Sequence, residues 1–181
     1  MGDNQSAFEK FEVVKFGPYR FVGKSVYLGN KRGTEVFFDF MWKQSDWVFK
    51  ELDKMKEYAS DETHNAALIP WDKHYDDKSE LFGYYIGRFM KAGAPMTKEA
   101  DLDYFDISEG YVAKAWRKEK AGKRYGIYAY NDNGIHDAMK RAGFNQQGWN
   151  WSAEIILKTD SKDENLVGAY IPCELINKSK Q

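Results

Sequence analysis

The sequence predicts an α+β protein in which two pseudo-repeated strand–helix–strand–strand units form an antiparallel sheet around a central groove, with the helices on the other side. Three observations predict this. Aromatic and β-branched runs recur along the 181 residues, two stretches carry apolar residues at helical spacing, and the order of these signals repeats in the second half. With four Pro and no Ser/Gly-rich linker, residues 1–181 read as a single domain, with pseudo-repeat halves at about 8–92 and 100–176.

Residues 11–28 (FEVVKFGPYRFVGKSVYL) are rich in Phe, Val and Tyr and are interrupted at Gly17-Pro18, which predicts two strands or one bent strand. From Phe37 to Ala59 the apolar positions Phe37, Met41, Val48, Leu52, Met55 and Ala59 keep helical spacing, and Ser45-Asp46 is placed to cap a second segment. A short strand at 66–71, a charged loop at 72–80 and a strand at 81–90 (LFGYYIGRFM) follow. The second half repeats this order with an extended stretch at 102–118, a helix at about 127–142 ended by Gly143, and strands at 149–158 and 166–175.

The repetition is visible in the residues. Leu81-Phe82-Gly83-Tyr84-Tyr85-Ile86-Gly87 lies over Leu166-Val167-Gly168-Ala169-Tyr170-Ile171-Pro172 with four identities in seven, and Gly17-Pro18-Tyr19 resembles Glu109-Gly110-Tyr111 upstream. Each half alone leaves one side of a small sheet bare. Pairing the halves about a pseudo-twofold axis covers it and makes a groove at the axis the natural ligand site.

Charge and motifs exclude several classes of function. A net charge of −1, from 27 Lys plus Arg against 28 Asp plus Glu, lacks the basic excess that displaces counterions from phosphates, so no direct nucleic-acid partner is expected. No apolar run reaches membrane-spanning length and the start MGDNQSAFEK is not a secretory signal, so a cytoplasmic protein without a membrane partner is expected. One cysteine, Cys173, cannot form an intramolecular disulfide or a paired-thiol metal site. The segment Gly17–Ser25 misses the phosphate-loop spacing by one residue, and GxGxxG, HExxH and GxSxG are absent, so neither cofactor nor metal is expected. The loop Trp71–Asp77 with His64 holds oxygen and nitrogen ligands, but Lys73 and Lys78 among them make it a solvated hairpin loop. The basic stretch Lys114–Arg124 reads as a charged strand end and loop, with a protein partner as its functional alternative.

Glu154 stands out. It lies in Trp149-Asn150-Trp151-Ser152-Ala153-Glu154-Ile155-Ile156-Leu157, a run that reads as a central strand, where a carboxylate is costly unless it meets a partner or a groove. Strand parity puts Ser152, Glu154 and Ile156 on one face and Trp149 and Trp151 on the other.

The opening FEVVKFGPYRFVGKSVY, then LFGYYIGRFM, DISEGYVAKAW, Gly143-Phe144, WSAEIIL and the closing VGAYIPCEL resemble, in order and over residues 8–176, the pattern of the GyrI-like superfamily. This is the effector-binding domain also attached to AraC-type and MerR-type bacterial regulators. The resemblance implies two strand–helix–strand–strand units around a groove that binds small, often cationic, organic molecules between aromatic rings and a glutamate on the penultimate strand. That glutamate matches Glu154, and the corresponding place in the first half falls near Ala67, so one carboxylate is expected in the groove. Tyr170, Tyr84 or Tyr85, Phe21, Tyr27 and Trp116 are the candidate walls. No DNA-binding segment precedes the domain, so the expectation is a stand-alone binding protein for small hydrophobic or cationic aromatic ligands, with no catalytic residue assigned. Two alternatives on the same fold are a hydrolase of strained or electrophilic toxic molecules, with Glu154 as general base, and a gyrase-inhibitor-like module with a protein partner at 114–124.

Overall fold

The valine- and phenylalanine-rich opening forms strand β1 (Lys10–Phe16), and the chain turns at Gly17-Pro18 into β2 (Tyr19–Tyr27). Gly17 has φ +84°, and a Cβ there would lie 3.3 Å from the Ser108 carbonyl oxygen, so a side chain would be strained by conformation and crowded by the neighbouring backbone. The computed structural model describes residues 8–27, 45–69, 75–76, 81–96, 101–120, 134–148, 151–158 and 164–176. The predicted helical turns at 37–44 and 127–133 lie outside these residues.

Helix α1 (Asp46–Asp53) starts after Ser45, whose side chain makes no capping hydrogen bond; its apolar stripe buries Val48 and Leu52, one turn apart. A turn of 3₁₀ helix (Lys56–Tyr58) leads to β3 (Ala66–Ile69), β4 (Tyr75–Asp76) and β5 (Leu81–Lys91). The extended stretch of the second half is two strands, β6 (Asp103–Ile107) and β7 (Gly110–Lys120), parted at Ser108-Glu109. Helix α2 (Ile135–Arg141) buries Ile135, Ala138 and Met139, the spacing of one helix face, and is followed by β8 (Phe144–Gln146), β9 (Ser152–Lys158) and β10 (Glu164–Leu175).

The strands join in the order β1-β7-β10-β9-β3-β5-β2-β6, with β4 on β5 and β8 on β10 outside this path, and every pairing is antiparallel. The order reads alike from both ends, with the β9–β3 seam in the middle, where Ala67 pairs with Glu154 and Leu68 with Ala153. The sequence did not disclose one feature: the first strand of each half crosses over. β1 pairs with β7 of the second half and β6 pairs with β2 of the first, so neither half completes its own sheet.

Alternation along the strands sorts the core. On one face Ala113, Ala115, Val167, Ala169 and Ile171 pack under Ile135 and Met139 of α2, and Val22 and Met90 pack under Val48 and Leu52 of α1. Both described helices therefore lie on one side, as predicted. The other side is filled by aromatic rings. Phe16 of β1 and Phe89 of β5, far apart in strand order, meet edge to face with ring centroids 5.1 Å apart, so the sheet curls around this side and makes it concave. The curl requires close approach of β2 and β5: Gly23 pairs with Gly87, and a Cβ on either would fall 1.9 Å from a carbonyl oxygen of the facing strand.

Candidate functional site

The concave face is built by register. A row of paired positions runs across the sheet through Ser25, Tyr85, Leu68, Ala153, Tyr170, Lys114 and Glu12. Around it Phe16, Phe21, Phe89, Phe105, Trp116 and Trp151 join Tyr85 and Tyr170 in one buried cluster. Phe21 meets Phe89 edge to face at 4.9 Å, and Tyr170 has Phe16 and Trp116 edge-on, each at 5.8 Å. Such pairs place the electron-rich face of one ring against the electropositive edge of the next.

Two charges lie inside this apolar layer. The Lys114 ammonium donates to Glu62, and the Tyr170 hydroxyl donates to the other oxygen of the same carboxylate at 3.0 Å. Side chains of Lys114 and Glu62 are 10% and 12% exposed, so water screens the pair poorly. The ammonium lies 4.7 Å from the Tyr170 ring centroid and 5.2 Å from that of Phe16. Burial pushes the Lys114 amine below the usual lysine range, with the carboxylates of Glu12 and Asp61 pushing the other way; burial pushes the Tyr170 phenol up. His64 lies beside the pair, its Nδ1 4.0 Å from Glu62 and its ring 5.9 Å from Trp116, and burial lowers its pKa. Alongside, the Tyr19 hydroxyl donates to Asp61, and the Tyr19 ring meets Phe16 edge to face at 4.8 Å.

A cavity of about 280 Å³ opens against this layer at the end where the two crossing strands turn. Phe16, Val112, Phe105, Ile107 and Trp151 line it on one side, and Asp106, Ser108, Glu109 and Gln147 give it a polar edge. Phe16 belongs both to the cavity wall and to the rings beneath Lys114, which links the open space to the buried charges. Ligand pockets commonly measure about 300–1,000 Å³, so this cavity stands at the small end of the range.

Four of the residues singled out in the sequence come together here: Phe21, Tyr85, Trp116 and Tyr170. Tyr85, in register with Leu68, is the member of the Tyr84-Tyr85 pair in this cluster; the side chains of Tyr84, Tyr27 and Glu154 lie outside the described residues. The Glu154 position pairs with Ala67 and Ala169, one step out of register with the row of Tyr170, while Trp151 lies in the cluster with Tyr170. Sequence reasoning missed Glu62, Phe16 and the burial of Lys114, which it placed in an exposed basic stretch. A signal existed for Lys114: in Val112-Ala113-Lys114-Ala115-Trp116, strand parity puts it on the face of Val112 and Trp116. Among the described residues no group of His, Cys, Asp and Glu is placed to hold a metal ion, and no helix is long and apolar enough to cross a membrane.

No family sequence model and no curated protein matches the chain. Solved structures do. SAV2435, solved bound to tetraphenylphosphonium, superposes with a TM-score of 0.59 at 10% identity, over 91% of this chain and 94% of that one. A protein from Staphylococcus aureus MU50 named for bacterial transcription regulation gives 0.57 at 12%, over 91% and 98%. The C-terminal domain of EcmrR gives 0.54 at 10%, over 92% and 98%. The chain therefore has the GyrI-like fold that its sequence resembles.

Proposed function

We propose that the protein binds small amphipathic aromatic compounds on its concave face, as a sensing or sequestering module. One observation carries this reading: a cavity of about 280 Å³ has Phe16 and Trp151 of the packed aromatic layer in its wall, and Phe16 also lies under the Lys114 ammonium that is paired with the half-buried Glu62. The binding of tetraphenylphosphonium by SAV2435, a protein of the same fold, supports it. Glu62, the carboxylate of this face, already has a cation of its own in Lys114, and the Glu154 position, paired with Ala67 and Ala169, is one step out of register with the row of Tyr170.

Titration of tryptophan fluorescence with tetraphenylphosphonium and with a single-ring compound such as tert-butylbenzene tests the reading. Saturable binding of the neutral compound is expected, weakened by Phe16→Ala, in the cavity wall, about 2- to 30-fold, the range for loss of one ring contact. No saturable response to either compound would overturn the proposal.

A further inference from the structure

We infer that Lys114 is a specificity-determining residue: its ammonium occupies the aromatic and carboxylate cage of the concave face as a built-in cation and holds that cage against organic cations. The inference rests on the binding reading above and adds the charge class of the ligand. An organic cation in an aromatic site needs ring faces at about 6 Å or less and a counter-charge shielded from water. Both are present, and both are already engaged. The ammonium lies 4.7 Å from the Tyr170 centroid and 5.2 Å from the Phe16 centroid, and Glu62 accepts from Lys114 and from Tyr170.

The strand dictates this occupancy. Lys114 is paired with Tyr170 on β10 and Glu12 on β1, so its side chain projects from β7, flanked by both strands, into the aromatic layer, where the residue is 8% exposed. A second cation entering beside it would meet a like charge where water screens weakly. It would otherwise have to displace the ammonium into an apolar layer without a partner. A neutral aromatic molecule faces neither penalty. It can line the cavity against Phe16, Val112 and Trp151 while Lys114 stays on Glu62. The native site accordingly takes neutral aromatic compounds, and removing the lysine charge opens it to cations.

The experiment compares two probes of nearly equal shape, phenyltrimethylammonium and tert-butylbenzene, by calorimetry or tryptophan fluorescence on the full chain. Wild type is expected to bind the neutral probe more tightly. Lys114→Met, which keeps the length and removes the charge, should raise the cation-to-neutral affinity ratio about tenfold or more. Adding Glu62→Gln to Lys114→Met should erase that gain. Lys114→Gln keeps a donor for Glu62 and makes the same test if the Met variant does not fold. An unchanged cation-to-neutral ratio in these variants, with both probes bound, overturns the role of Lys114 and leaves the binding reading standing. Failure of natively folded wild type to bind either probe or tetraphenylphosphonium overturns the binding reading itself.

Discussion

At the scale of single residues, the site is a set of polar groups made expensive by burial and then satisfied by one another. Glu62 would be costly alone in an aromatic layer; Lys114 and Tyr170 together provide it with charge and a second hydrogen bond. Tyr19 offers a measurable consequence. Burial first, then the hydrogen bond to Asp61 and its charge, raise its phenol from 10.0 to about 12. The folded state thus holds this proton more tightly than the unfolded chain does. Its contribution to stability is complete below the ordinary tyrosine value and is lost as pH rises through the folded value. Denaturant unfolding at ~pH 8 and ~pH 11 should therefore show a loss of stability that is smaller in Tyr19→Phe than in wild type. An equal loss in both would show that Tyr19 does not report this linkage. The family resemblance, together with aromatic residue type, pointed to Phe21, Trp116, Tyr170 and the Tyr84-Tyr85 pair, and Phe21, Tyr85, Trp116 and Tyr170 share one cluster. Glu62 was not legible in the sequence, because it sits in Ser60-Asp61-Glu62-Thr63-His64, a polar segment with no period to show which side chain turns inward.

At the scale of elements, alternation and helical spacing located the strands and the described helices, while their ends followed local chemistry. The stretch 102–118 carries no Pro, and its break at Ser108-Glu109 comes from the crossing of β6 and β7 between halves, a tertiary event with weak local markers. The pairing of Gly23 with Gly87 is similar: each reads as an ordinary strand glycine until the register sets them face to face. Gly87→Ala would drive a methyl group to 1.9 Å from the Val22 carbonyl oxygen, which backbone cannot yield without parting β2 from β5. A loss of about 3 kcal/mol or more in denaturant unfolding is expected. A loss below about 1 kcal/mol would mean that the two strands do not approach this closely.

At the scale of the whole molecule, duplication and strand swapping explain how a chain of near-zero net charge keeps so much aromatic surface out of water. The repeat was legible because Tyr85 and Tyr170 sit in matching heptapeptides, and the structure places them in one row of one face. The exchange of β1 and β6 was not legible, since a strand's sequence states its faces and not its neighbour. The 17% aromatic composition divides accordingly: Trp116 and Trp151 belong to the concave layer, whereas Trp47 on α1 is 42% exposed on the helix-bearing side. That division supplies the most direct test of the central claim, that ligands bind on the concave face. In ¹H–¹⁵N spectra recorded during titration with tert-butylbenzene, the indole N–H signals of Trp116 and Trp151 should move saturably while that of Trp47 stays in place. Movement of Trp47 with Trp116 and Trp151 unmoved would contradict it.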